Sequence, residues 1–145
     1  NYLSCYIGLT TWFVGKTKKC LVLDLDNTCW GGVIEDDGLD GIRIGTETAI
    51  TETFTSFQKY AKELKQRGIT LAVCSKNDLS NAQEGFEPPN SILKYDDFIS
   101  FKANWDPKHQ NIIEIVKEIN IGIDSLVFID DSPVEAILYP NKPQV

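Results

Sequence analysis

Three short apolar runs punctuate the chain, and each ends in a polar cluster. Cys20-Leu21-Val22-Leu23 leads into Asp24-Leu25-Asp26-Asn27-Thr28, Ile69-Thr70-Leu71-Ala72-Val73-Cys74 into Ser75-Lys76-Asn77-Asp78, and Leu126-Val127-Phe128-Ile129 into Asp130-Asp131-Ser132-Pro133. Continuous apolar runs this short read as strands buried on both faces, as in a parallel sheet. Another strand or two is expected within 91–101. Between the runs the period changes to that of a helix. Phe54, Phe57, Ala61 and Leu64 fall on one helical face, with Thr46 as the expected N-cap, Lys65 and Arg67 at the negative end of the dipole, and Gly68 as the stop. A short helix after Asp78 should end before Pro88-Pro89. Pro107 suits the first position of a further helix, buried through Ile112, Ile115 or Val116, and Ile119, and ended by Gly122. Gly31-Gly32, Asp37-Gly38 and Gly41, with Val33-Ile34 and Ile42-Arg43-Ile44, predict a small β-hairpin flap whose acidic tip is Glu35-Asp36-Asp37. Strands alternating with helices predict an α/β fold: a three-layer, Rossmann-like, mainly parallel sheet with helices on both faces. The short connections leave no room for a large cap domain.

Composition narrows the picture without changing it. A chain of 145 residues, 42% hydrophobic and 24% charged, reads as a single globular domain over 1–145, with 1–18 as a lead-in segment. A formal charge of −7 argues against the broad basic surface of a nucleic-acid binder. No apolar run approaches the ~20 residues that cross a bilayer. Cys5, Cys20, Cys29 and Cys74 form no CxxC pair, and 1–14 lacks the pattern of a targeting signal, so reduced thiols and a cytoplasmic location are expected. Met is absent even at position 1, as expected of a segment cut from a longer chain.

The candidate chemistry sits at the strand ends. In an open parallel sheet, ligands bind beyond the carboxyl ends of the strands. That edge would gather Asp24, Asp26 and Thr28, then Ser75, Lys76 and Asn77, then Asp130 and Asp131, with Lys108 at the start of the helix leading into the last strand. Taken singly, such residues are ordinary caps and turns. Gathered together, the carboxylates repel one another, and a hard divalent cation such as Mg²⁺ relieves that conflict while accepting phosphate oxygens. Asp24 and Asp26 lie two apart on the first strand, so their side chains are expected to leave it on one face, one to attack phosphorus and the other to handle a proton. Thr28, Ser75, Lys76 and Lys108 are the candidate phosphate-binding groups.

These residues in this order resemble the motifs of the haloacid dehalogenase-like superfamily. Asp24-Leu25-Asp26-Asn27-Thr28 is similar to its DxDxT first motif, Ser75 to the second, Lys108 to the third and Asp130-Asp131 to the fourth, over 16–133. More narrowly, KCLVLDLDNTCWGGVI, LAVCSKND, DDFISFKANWDPK and NIGIDSLVFIDD resemble the FkbH-like domain, with Cys29 standing where that branch more often has an aliphatic residue. The resemblance implies that Asp24 is the nucleophile forming an aspartyl-phosphate and Asp26 the general acid/base. It implies Ser75 and Lys108 as phosphate binders, and a Mg²⁺ site of Asp24, the Asp26 carbonyl and Asp131, with Asp130 alongside. It implies a phosphorylated small-molecule substrate and, for the FkbH-like branch, transfer of a glyceryl unit from 1,3-bisphosphoglycerate to an acyl carrier protein with release of phosphate.

Several choices stay open at this level. Lys102 rivals Lys108, either as a solvated lysine or as a contact for a second anionic substrate group. Cys74, beside Ser75, is the candidate acyl-carrying thiol, set against a plain buried cysteine. His109 reads as a surface residue, and Trp30 and Trp105 as core or substrate wall. A general phosphatase acting on a small molecule or phosphoprotein is the alternative function. A receiver-like phospho-acceptor would place its acidic pair early rather than late, and a silent docking module would not need the intact set of acidic residues.

Overall fold

A computed structural model describes residues 18–131. The lead-in through residue 17, Cys5, and the Ser132-Pro133 end of the last motif lie outside the described residues. Four strands form one sheet: β1 (Cys20–Leu23), β2 (Thr70–Lys76), β3 (Phe98–Asn104) and β4 (Leu126–Ile129). Their order is β3-β2-β1-β4 and every pairing is parallel. The chain steps outward from β1 to β2 and β3, then returns to place β4 on the other side of β1. The reversal falls between β1 and β4, where an open α/β sheet leaves a crevice at its carboxyl edge.

Strand alternation divides the core. Leu21, Leu23, Leu71, Val73, Val127 and Ile129 point to one face, where they meet Phe57, Ala61 and Leu64 of the long helix α2 (Ala49–Gln66) and Ala82 of the short helix α3 (Leu79–Glu84). Cys20, Val22, Ala72, Cys74, Leu126 and Phe128 point to the other, against Ile112 and Ile115 of α4 (Lys108–Ile119). The three-layer architecture follows. Gln58, 1% exposed, pins α2 to its surroundings: its Oε1 accepts from the Ile92 and Leu93 amides, and its Nε2 donates to the Cys29 carbonyl. Among the described residues no helix is long and apolar enough to cross a membrane.

Local details depart from the pattern. The flap is no hairpin: Gly31 and Arg43 form a single antiparallel bridge, and Ile34–Gly41 between them is helix α1, kinked at Gly38. Glu35, Asp36 and Asp37 fill its first turn, where acidic residues suit the positive end of the helix dipole. The α2 cap is Thr48 rather than Thr46, because Thr48 and Thr51 exchange reciprocal hydrogen bonds. Pro107 caps α4 from outside, so Lys108 is its first residue, and Asn120 in a left-handed conformation ends the helix before Gly122. The strand expected within 91–101 runs on to Asn104.

Candidate active site

The parity that sorts the core also aims the carboxylates. Cys20 and Val22 face α4, and so do Leu126 and Phe128. One more step along each strand gives Asp24 and Asp130, neighbours because Leu23 pairs with Ile129 and the Asp24 amide donates to the Ile129 carbonyl. Lys108, at the N-terminal end of α4, reaches both: its Nζ lies 3.0 Å from Asp24 Oδ2 and 2.7 Å from Asp130 Oδ2. Asp24 Oδ1 accepts from the Leu25 amide and Asp130 Oδ1 from the Asp131 amide. Asp131 is exposed, and it completes a triad with Asp24 and Asp130 whose ligand oxygens all lie within 4.8 Å of one another. A compact donor set made only of carboxylate oxygen fits a hard divalent cation.

The electrostatics match that geometry. Burial pushes the Asp24 carboxyl up to about 6, with Lys108 pulling it down and Asp130 pushing it further up. Burial would raise Asp130 too, but hydrogen bonds from Asp131 and Lys108 outweigh it and hold that carboxyl well below the usual range. Hydrogen bonding to Asp130 and then burial lift Asp131 to about 6. Burial would lower the Lys108 ammonium; attraction to Asp24 and hydrogen bonds to Asp130 and Asp24 more than reverse this and raise it. Lys108 thus offsets only part of the negative charge that Asp24, Asp130 and Asp131 can carry.

Asp26 belongs to a second group. The strand stops at Leu23, so strand alternation does not place Asp26 beside Asp24 on one face. Instead the chain turns at Leu25, whose carbonyl accepts from the Thr28 and Cys29 amides, with Asn27 in a left-handed conformation. The Asp26 carboxylate is held from three sides. Its Oδ1 accepts from Trp30 Nε1 and from the amide of Ile34, the first residue of α1, both at 3.0 Å; its Oδ2 accepts from Asn77 Nδ2 at 3.0 Å. Asn77 Nδ2 also donates to Ser75 Oγ at 3.2 Å. Asn77, 1% exposed, stands in the strand-end cluster read from the sequence, which gave a role to Lys76 and none to Asn77. The spacing held the signal: Ser75 and Asn77 are two apart, whereas successive strand residues leave opposite faces.

The remaining assignments fare differently. The Lys76 side chain is exposed and makes no hydrogen bond or ion pair with the described residues. Thr28 is buried, and its Oγ1 has no partner among the described residues. Lys102 does not line the carboxylate pocket: it pairs with Glu118 and Glu114, the former ten residues along α4 from Lys108, or roughly 15 Å by helical rise. Cys74 is no accessible thiol. It is 0% exposed in the α4-side core, donates to the Lys108 carbonyl, and burial pushes its thiol up to about 12 despite the opposing pull of Lys108. Among the described cysteines, Cys20, Cys29 and Cys74 are all free and buried. His109 is exposed. Trp30 is wholly buried, edge-on to Phe86, whereas Trp105 is 57% exposed and donates to Asp78, linking the loops that follow β2 and β3.

No family model and no curated protein matches the chain. Among solved structures it is similar to the N-terminal part of the protein BF1531 from Bacteroides fragilis, described as containing a phosphatase domain and complexed with Mg. The identity is 50% and the TM-score 0.79, covering 90% of this chain and 35% of that one. The chain therefore spans about a third of the length of that structure. The shared fold is consistent with that of a haloacid dehalogenase-like phosphatase, as the motifs imply.

Proposed function

We propose that this domain is a Mg²⁺-dependent phosphoryl-transfer enzyme of the haloacid dehalogenase-like type, acting as a phosphatase on a phosphorylated small molecule. The observation that carries the reading is the convergence of Lys108 on Asp24 and Asp130, beside Asp131, at the carboxyl edge of β1 and β4. The Mg²⁺-bound phosphatase domain at 50% identity supports it. Asp24, Asp130 and Asp131, with the Asp26 carbonyl, would hold the cation. When bound, the cation supplies Lewis-acid stabilisation of phosphoryl charge.

The residues of the chain divide the remaining work. An Asp24 carboxylate oxygen attacks phosphorus, the P–O bond to the leaving group breaks, and a proton from Asp26 passes to the departing oxygen to give the alcohol. Water then attacks the Asp24-bound phosphoryl group, its proton returns to Asp26, and Asp24 is regenerated with release of phosphate. Lys108 keeps Asp24 anionic and, with Ser75, binds the phosphoryl oxygens. The test is hydrolysis of an aryl phosphate with Mg²⁺. Asp24→Asn or chelation should abolish turnover. Turnover unaffected by Asp24→Asn would refute the reading, and a phospho-protein that persists without releasing phosphate would favour a receiver-like acceptor.

Within this class we favour the FkbH-like reaction, in which a carrier thiol displaces the C1 acyl phosphate of 1,3-bisphosphoglycerate with release of one phosphate, and hydrolysis of the C3 ester by the steps above releases the second to leave a glyceryl thioester. Four long motif strings support it, and so does the short connection between β1 and β2, where among the described residues only α1 and α2 stand, too little for a cap domain. With Cys74 buried, the accepting thiol would be the carrier's own. Incubation with that acyl phosphate and a carrier protein, read by intact mass, decides the matter. An unmodified carrier leaves the general phosphatase.

A further inference from the structure

The geometry points to Asn77 as a positioning residue that couples the proton-transfer group to the phosphate-binding hydroxyl, an assignment that rests on the phosphoryl-transfer reading above. A carboxylate accepts hydrogen bonds and donates none, so the Asn77 atom 3.0 Å from Asp26 Oδ2 is the amide nitrogen. The same nitrogen spends its other hydrogen on Ser75 Oγ at 3.2 Å. Two consequences follow from counting donors and lone pairs. First, Ser75 accepts from Asn77 and donates to none of the described residues. Its hydroxyl hydrogen is left to point at an incoming phosphoryl oxygen. Second, both lone pairs of Asp26 Oδ1 are taken by Trp30 and Ile34, whereas Oδ2 has only Asn77. The oxygen with spare capacity for a further hydrogen bond is Oδ2, the atom that Asn77 holds.

Burial makes this arrangement costly to keep without a use. Asn77 is 1% exposed, and its Oδ1 is buried with no partner among the described residues. An unsatisfied buried acceptor costs about 1–3 kcal/mol. An apolar side chain of similar shape would remove that cost only by leaving Asp26 Oδ2 and Ser75 Oγ without the donor they share. The backbone offers rigid support: Ser75 belongs to β2, paired to β1 and β3 on either side, and Asn77 directly follows that strand.

The test is a leaving-group series of phosphate monoesters, from alkyl and phenyl phosphate to dinitrophenyl phosphate, read as kcat/KM with Mg²⁺. This ratio reports the step in which the leaving group departs. Poor leaving groups need the proton from Asp26, and dinitrophenolate does not. Asn77→Ala is expected to lower kcat/KM by about 100-fold for phenyl and alkyl phosphate, the lower range of general-acid effects, and by less than about 10-fold for dinitrophenyl phosphate. The component common to the whole series measures the loss of Ser75 orientation. In an Asp26→Asn background the added steepening should vanish, because Asn77 acts through Asp26. If Asn77→Ala fails to fold, Asn77→Leu, close in shape and without a donor, must give the same steepening. A loss equal across the series, or steepening that survives in Asp26→Asn, overturns the assignment while the enzyme reading stands. A wild-type protein that turns over none of these esters overturns both.

Discussion

Replacing Lys108 by Met removes the one cation that Asp24 and Asp130 share while keeping most of the side-chain volume. Lys108 is 21% exposed at its side chain, against 9% and 3% for its two partners, so this is a largely buried ion triad. Breaking a buried pair by removing one partner costs about 3–5 kcal/mol, because the other charge is left uncompensated. Two carboxylates no more than 4.8 Å apart repel by about 3 kcal/mol or more at an effective dielectric near 20. The site can escape the full cost by protonating one carboxyl, and partial solvent access softens it further. A net loss of about 2–4 kcal/mol at neutral pH is therefore expected. For 145 residues a loss of 1 kcal/mol lowers Tm by about 3 °C, so the variant should melt roughly 6–12 °C below the wild type in the presence of a chelator. Mg²⁺ should recover part of that loss, because a ligand of the folded state stabilises it by mass action. Calorimetry of both proteins, with chelator and with Mg²⁺, reads all four values. A variant melting within 2 °C of the wild type in chelator, and indifferent to Mg²⁺, would show that the carboxylates do not depend on a shared cation, and the account of the site would be wrong.

Three further outcomes follow from other parts of the fold. Asp97, 8% exposed, would be raised by burial, but hydrogen bonds from Lys62, Lys65 and the Lys94 amide hold its carboxyl below the usual range. A depressed folded-state pKa supplies stability above the unfolded value near 3.9 that is lost as pH falls, so urea unfolding of Asp97→Asn should show a shallower acid limb than the wild type. Gly85→Ala would set its Cβ 2.3 Å from the Trp30 ring, and overpacking of this kind costs about 1–3 kcal/mol. Because Trp30 holds Asp26, a thermal melt and a phosphatase assay should fall together. Cys74→Ala should leave aryl phosphate turnover within about threefold of the wild type, and native protein should resist iodoacetamide at Cys74 until denatured, as a buried, protonated thiol does.

Local periodicity carried a long way. Continuous apolar runs marked the doubly buried strands and the 3.6 period marked the inward faces of α2 and α4, while the strand parity that turns Asp24 and Asp130 toward α4 became visible only in the packed sheet. The types and order of Asp24, Asp26, Ser75, Lys108 and Asp130-Asp131 specified the candidate chemistry before any fold was drawn. The flap misled because glycines and short apolar pairs suit a hairpin. An Asp26 oxygen receiving the first amide of α1, with acidic residues in its first turn, made a helix instead.

What the chain could not announce on its own was the set of long-range partners. Whether Lys102 or Lys108 meets the carboxylates depends on where α4 docks, and docking leaves Lys102 beside Glu114 and Glu118. Whether Cys74 is a nucleophile or core depends on what packs over β2. That Asn77 holds Asp26 depends on how the chain turns after Leu23 and on the register between β1 and β2. A residue and its neighbours in sequence determine the direction a side chain leaves the backbone. The group waiting at the other end is set by elements far away in the chain, and only the packed sheet and helices bring the two together.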